Sequence, residues 1–261
     1  MGLIDFSDFV NELATVSGQA ILPFFRTAIA AEDKSAGGIF DPVTEADRAG
    51  EAVMRQLIKR HFPTHGIVGE EFGNEREDAE YVWVLDPIDG TRAFIAGLPL
   101  WGTLIGLQRR GVPVFGMMHQ PFMAERFWGD GGGASYRSGA KAQQPLRTRR
   151  CGSLSDALIS TTSPFLFAPE QGEAYRRLER EAKLARYGYD CYAYCMLAAG
   201  YIDLVVESGL KPFDIVALIP VIEGAGGVVT SWDGGSAAQG GSVIAAGDRR
   251  LHEAALAFLN P

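Results

Sequence analysis

The sequence is short of basic charge. Its 24 Lys and Arg stand against 32 Asp and Glu, a formal net charge of −8. Nucleic-acid binders draw much of their affinity from phosphate neutralisation, so this balance argues against that class. The densest basic run, Arg147-Thr148-Arg149-Arg150, is short and isolated, and a solvated loop accounts for it. Cysteine is also scarce. Cys151, Cys191 and Cys195 form no CxxC pair and are odd in number, which points to small buried thiols in a reducing, cytoplasmic setting. The 4 His show no HExxH and no Cys/His zinc spacing, and no GxSxG is present, so covalent catalysis has little support. No apolar run approaches the roughly 18 residues of a membrane span. The first residues, Met-Gly-Leu-Ile-Asp-Phe-Ser-Asp, carry early acids and no basic region, so neither a signal peptide nor a membrane partner is expected.

What is present is an ordinary globular composition, 47% hydrophobic and 21% charged. Phe6, Phe9, Val10, Leu13, Val16, Ala20, Ile21 and Phe24 recur at helical spacing and predict an amphipathic opening helix. Thr44-Glu-Ala-Asp47 resembles a capping box ahead of a second helix through Val53, Leu57 and Ile58. Residues 66–68 and 81–85 read as buried strands, 101–108 and 112–119 as a hairpin, and 124–128 as a further strand. The glycine run 129–133 lacks the Lys-Ser/Thr of a P-loop and reads as a hairpin turn. Beyond about residue 145 the pattern alternates. Strands are expected at 157–162, 184–187, 202–206, 227–231 and 242–246, and helices at 170–185, 190–199, 214–225 and 249–259. The first half looks α+β and the second α/β, with no linker between them. One continuous layered domain, 1–261, with lobes at about 1–145 and 146–261, is expected.

The most informative stretch is Val82-Trp-Val-Leu-Asp86-Pro-Ile-Asp89-Gly90-Thr91. A buried strand runs into two carboxylates three residues apart, around a Pro that fixes its own φ and a Gly free to adopt unusual dihedrals. Two ionised acids held close together repel unless a cation lies between them or one is protonated. The plain alternative is that Asp86 and Asp89 form an Asx turn and cap the following helix. Gly69-Glu70-Glu71 forms a second acidic pair, again at the C-terminal end of a strand, where α/β sites tend to lie. Asp214 opens another strand-to-helix junction, a position that an N-cap would also explain. Carboxylates with few imidazoles favour hard cations, Mg²⁺ above all.

At these residues the chain resembles the inositol monophosphatase family. The matching pieces are Pro42-Val-Thr-Glu-Ala-Asp47, Gly69-Glu70-Glu71, Asp86-Pro-Ile-Asp89-Gly90-Thr91, and Asp214 followed by Glu223-Gly-Ala-Gly-Gly227. Arg92-Ala-Phe94, Trp101-Gly-Thr-Leu-Ile-Gly-Leu107, Tyr187-Gly-Tyr-Asp190-Cys-Tyr-Ala-Tyr194 and Glu207-Ser-Gly-Leu-Lys-Pro-Phe-Asp214 look most like the histidinol-phosphate phosphatase branch. Phe213 departs from the Trp or Tyr expected there but keeps the aromatic. Residues 34–41 fit poorly, and Lys34 is given no role.

The resemblance implies a layered αβαβα sugar-phosphatase fold. It implies two or three Mg²⁺ per site, held by Glu70, Asp86, the Ile88 carbonyl, Asp89 and Asp214. It implies a water placed by Glu70 and Thr91, with Asp47 orienting the Thr91 hydroxyl, for direct in-line attack on a phosphate monoester. The phosphate is expected on the backbone N–H groups of Gly90 and Thr91. Glu207 and Asp190 are expected to contact substrate, Asp190 having a helix N-cap as its alternative. Arg92 is open to two roles, pairing with an acid across a subunit contact or meeting substrate. The substrate implied is L-histidinol phosphate, and a homodimer is expected.

Overall fold

The computed structural model describes residues 6–28, 30–33 and 42–260, so Lys34 lies outside the described residues. The opening apolar stripe forms α1 (Ser7–Ile21), followed by the two-residue strands β1 (Glu32–Asp33) and β2 (Pro42–Val43) and by α2 (Glu45–His61). Thr44 caps α2 in a capping box in which Asp47 takes the place usually held by Glu. Next come β3 (Gly66–Gly69), β4 (Gly73–Glu75), β5 (Tyr81–Asp89), α3 (Thr91–Ile95), β6 (Gly102–Arg109), β7 (Val112–Gln120), β8 (Glu125–Gly129), β9 (Ala134–Ser138) and β10 (Gln144–Pro145). The second half is β11 (Leu158–Thr161), α4 (Pro169–Glu181), β12 (Leu184–Tyr187), α5 (Cys191–Ala198), β13 (Leu204–Leu210), α6 (Pro212–Ile215), α7 (Leu218–Gly224), β14 (Val228–Ser231), β15 (Gly241–Ala246) and α8 (Arg249–Leu259).

Eight strands form one sheet in the order β10-β9-β8-β7-β6-β5-β3-β4, and five form another in the order β12-β11-β13-β15-β14. On one face of the larger sheet, Val10 and Leu13 of α1 and Met54 and Ile58 of α2 bury Trp83, Leu85 and Ile105. Between the sheets, Leu197 of α5 and Val221 of α7 pack with Leu104 and Met118 on one side and Val205 and Val243 on the other. Outside the smaller sheet, Tyr175 and Leu178 of α4 and Leu251 and Ala255 of α8 cover Ile159, Leu204 and Ile244. The result is the expected αβαβα layering. The middle helices lie close to the larger sheet: a Cβ on Gly116 would fall 1.8 Å from the Ala217 carbonyl oxygen, so only glycine fits there.

Several boundaries differ from the expectation. The helix expected over 214–225 is two, α6 and α7. Pro220 has no N–H to donate to the Val216 carbonyl, which breaks the ladder at the turn between them. Asp214 therefore sits in the first turn of α6, with Lys211 at the N-cap. β5 and β13 run on past 85 and 206, to Asp89 and Leu210. The two-residue strands and β4 were not anticipated, because elements this short carry no periodicity. The glycine run forms the β8–β9 hairpin turn, with Asp130 N–H donating to the Gly133 carbonyl at 3.2 Å.

Candidate active site

The site begins with an irregularity in β5. Asp86 pairs opposite Leu104 and Asp89 opposite Gly102, so the β5 segment holds one residue more than the β6 segment facing it. In a regular strand, residues three apart point to opposite faces; the extra residue of a bulge cancels that alternation and lets both carboxylates face one cavity. Pro87 is tolerated at the bulge, and its carbonyl accepts the Thr103 hydroxyl at 2.9 Å. Ile88 N–H donates to Asp86 Oδ1 at 3.0 Å, so the Asx contact is present. The capping alternative is not. The N-cap of α3 is Gly90, and Asp89 Oδ1 instead accepts the Cys191 N–H at 2.9 Å, at the start of α5. Gly90 has φ 87°, and a Cβ there would lie 2.9 Å from the Leu100 carbonyl oxygen.

Glu70 is placed by the parallel pairing of Gly69 with Leu85, and its own N–H donates to the Leu85 carbonyl at 3.3 Å, one residue before Asp86. The turn carrying it is braced from α2. Glu51, fully buried, accepts the Glu71 N–H at 2.7 Å and the Phe72 N–H at 3.1 Å, and pairs with Arg55 Nε at 2.7 Å. Arg55 also reaches Glu75 at 2.9 Å and the Gly73 carbonyl. The sequence reading missed this brace, although Glu51 and Arg55 stand at i,i+4 on the same helix face as Met54 and Ile58.

Asp214 enters from the first turn of α6, with Oδ2 accepting the Lys211 N–H at 2.6 Å. One carboxylate oxygen from each of Asp86, Asp89 and Asp214 lies within 4.8 Å of the others. Asp86 is pushed well above the usual carboxylate range by burial first, then by the charges of Glu70, Asp89 and Asp214. Asp89 is raised likewise by burial, then by Asp190 and Asp214.

Together with Glu70, Ile88, Gly90, Thr91, Arg92, Asp190 and Glu207, these three acids line one cavity of about 380 Å³. Of the residues expected to hold metal, water, phosphate or substrate, only Asp47 stands outside its lining. Its carboxylate accepts the Thr44 N–H at 2.8 Å and the Thr44 hydroxyl at 2.6 Å, and burial raises it to about 6. The Thr91 hydroxyl donates to the Ile88 carbonyl at 3.0 Å, so in this structure it is not bonded to Asp47.

Two further acids line the cavity. Asp190 heads α5 at a positive φ of 45° and makes no side-chain cap; burial raises its carboxyl to about 6 against the Thr162 hydroxyl and the nearby charge of Arg92. Glu207 is buried, raised to about 8 by that burial, and accepts the Thr162 N–H at 2.5 Å, the Thr162 hydroxyl at 3.0 Å and the Thr161 hydroxyl at 3.1 Å. Tyr194, part of a quoted motif but given no role from the sequence, lines the cavity with its hydroxyl buried and unpartnered among the described residues. A wall of oxygen donors, crowded enough to resist ionising together, fits hard divalent cations and no softer metal.

A layered αβαβα frame with carboxylates gathered at strand ends is the architecture of a metal-dependent sugar phosphatase. The sequence pattern of the inositol monophosphatase family matches residues 5–260, and the chain belongs to that family. Its members are phosphatases that depend on metal ions, typically Mg²⁺. The chain is 45% identical over 260 residues to the chloroplastic bifunctional phosphatase IMPL2 of Arabidopsis thaliana, covering 95% of this chain and 73% of that protein. It is 36% identical over 222 residues to a histidinol-phosphatase of Mycobacterium tuberculosis, covering 84% and 85%. Among solved structures, an inositol monophosphatase from Zymomonas mobilis superposes with a TM-score of 0.87 at 40% identity, covering 99% of this chain and 100% of that one.

Proposed function

We propose that this chain is a Mg²⁺-dependent phosphatase of L-histidinol phosphate, releasing L-histidinol and inorganic phosphate. The observation that carries the reading is the second pair of acids, Asp190 and Glu207, which line the same cavity as the Asp86–Asp89–Asp214 cluster. A leaving alcohol bearing an ammonium and an imidazole suits such a wall, since charge-assisted hydrogen bonds to carboxylates are stronger than neutral ones. The motifs Arg92-Ala-Phe94 and Glu207-Ser-Gly-Leu-Lys-Pro212 support it, as does the relative named as a histidinol-phosphatase.

In this reading Glu70, Asp86, the Ile88 carbonyl, Asp89 and Asp214 hold the cations. When bound, these supply Lewis-acid polarisation of the phosphoryl oxygens and make water easier to deprotonate. Glu70 and Thr91 hold the attacking water in line with the scissile P–O bond. The N–H groups of Gly90 and Thr91 face the phosphate. Asp190 and Glu207 orient the alcohol, and Asp47 keeps the start of α2 fixed beside Glu70.

A second reading, an inositol monophosphatase or broad phosphomonoesterase, is favoured by the 40% identity to the Zymomonas mobilis enzyme. A catalytically idle metal- or phosphate-binding regulator is a weaker alternative, because Glu70 and Thr91 are both in place on the cavity wall. Phosphate release measured across histidinol phosphate, inositol 1-phosphate, fructose 1,6-bisphosphate and adenosine bisphosphate, with Mg²⁺ and with EDTA, separates the three. Preference for histidinol phosphate supports the proposal, a flat profile supports the second reading, and no turnover of any ester supports the third.

A further inference from the structure

A second cavity, of about 780 Å³, shares no lining residue with the acidic one. Its wall is unusual for so acidic a chain: Arg147, Arg150, Arg249 and Arg250 all line it. Arg250 is spoken for, reaching Asp248 at 2.7 Å. Among the described residues, Arg147, Arg150 and Arg249 form no side-chain hydrogen bond or ion pair, and the one carboxylate that lines the cavity with them, Asp248, is paired with Arg250. Asp130 and Glu223 lie beside the adjoining glycine hairpin, but neither lines the cavity.

The backbone that presents these arginines is pinned. Leu146 N–H donates to the Ala134 carbonyl at 2.9 Å and Thr148 N–H to the Ala225 carbonyl at 3.0 Å. Between Arg147 and Arg150, Arg149 points the other way and clamps the buried Asp203, whose second contact is the Leu158 N–H at 2.8 Å. Asp203 also accepts the Gly247 N–H through its carbonyl at 3.0 Å, tying the arginine loop to the start of α8. Five of the eleven other residues of the wall are glycines, and at Gly133 a Cβ would meet nothing within 4 Å, which leaves room there for a ligand to approach the backbone closely. Holding three unpaired positive charges on a fixed backbone costs stability through mutual repulsion, and a bound anion removes that cost.

We propose that this cavity binds a small polyanion carrying two or more phosphate groups. Guanidinium groups match phosphate oxygens in a two-pronged geometry, and three of them exceed what one phosphate dianion neutralises. The volume falls within the range of small-ligand pockets. A concave site in a chain of net charge −8 suits a compact ligand better than the extended backbone of a nucleic acid.

The probe is inorganic pyrophosphate, titrated calorimetrically into the full chain in EDTA at physiological salt, where the acidic cavity without cations repels anions. One saturable site per chain is expected, at least tenfold tighter than for inorganic phosphate. Arg150→Ala with Arg249→Ala should weaken it tenfold or more, since each lost charge-assisted contact amounts to roughly a tenfold change in affinity. Arg147→Gln alone should weaken it several-fold and serves if the double variant does not fold. Arg60→Ala with Lys183→Ala, an equal loss of charge at exposed positions elsewhere, should change it less than twofold. The proposal is overturned by no saturable binding, by equal weakening in the two double variants, or by a short single-stranded RNA binding these arginines more tightly than pyrophosphate.

Discussion

Replacing Glu51 by Gln tests whether the acidic cavity depends on the brace behind it. Gln keeps the shape and one carbonyl acceptor, so at least one of the two N–H groups of Glu71 and Phe72 stays paired. The negative charge facing Arg55 is lost, and Arg55 is only 5% exposed. Breaking a buried ion pair from one side costs about 3–5 kcal/mol. Arg55 keeps its contact with Glu75 at 2.9 Å, which places the cost near the lower figure, about 3 kcal/mol. For a chain of this size that corresponds to a melting temperature lower by roughly 6–12 °C. Glu51 presses directly on the turn that carries Glu70: a Cβ on Gly69 would lie 2.1 Å from Glu51 Oε1. Loosening that turn should also raise the Mg²⁺ concentration needed for half-maximal phosphatase activity, on the order of tenfold, as supporting residues around metal ligands generally do. Melting followed by circular dichroism, with Mg²⁺ titrations of activity, reads both effects. A melting temperature within about 2 °C of the parent together with an unchanged Mg²⁺ midpoint would refute the reasoning.

Other expectations follow from the same geometry. Asp89→Asn should lower turnover by at least about 100-fold and weaken Mg²⁺ binding measured by calorimetry; full activity in saturating Mg²⁺ would remove Asp89 from the metal site. Gly90→Ala should cost on the order of 1–3 kcal/mol and abolish most activity, because a side chain there is strained at φ 87° and collides with the Leu100 carbonyl; an unchanged melting curve contradicts this. In EDTA, Glu207 raised to about 8 should make stability fall as pH rises from its ordinary value of 4.5 toward 8, since the folded state holds a proton that the unfolded state releases. Glu207→Gln should flatten that part of the pH–stability curve, and an equally steep fall in the variant would show that Glu207 is not its source.

The acidic motif was legible because its chemistry is local: Asp86, Pro87, Asp89 and Gly90 stand within five positions, and the strand feeding them is plainly apolar. The capping box at Thr44 and the hairpin at Arg110-Gly111, both at positive φ, were legible for the same reason. What escaped was relational. The bulge against β6 that turns Asp86 and Asp89 the same way is a property of the pairing between two strands. The role of Asp89 at the start of α5 joins residues 102 positions apart. The Glu51–Arg55 brace looks in sequence like any surface i,i+4 pair, and only the fold buries it. Pro220, by contrast, was visible and should have divided the helix expected over 214–225.

The net charge of −8 at first only argued against nucleic acid. The fold gives it an address, since Glu70, Asp86, Asp89 and Asp214 line one cavity and Asp190 and Glu207 extend its acidity. The unpaired arginines gather elsewhere, around a separate concavity. The positive charge that a phosphate ester needs in the acidic cavity is therefore expected from metal ions, with Arg92 the one basic side chain on its wall among the described residues.

The most direct test of this account is the ratio of kcat/KM for histidinol phosphate to that for inositol 1-phosphate, measured in Mg²⁺ for the parent chain and for Asp190→Asn. The account predicts a ratio well above ten for the parent, falling roughly tenfold or more in the variant as a charge-assisted contact to the leaving alcohol is lost. A ratio near or below one in the parent, or a ratio that Asp190→Asn leaves unchanged, would contradict it.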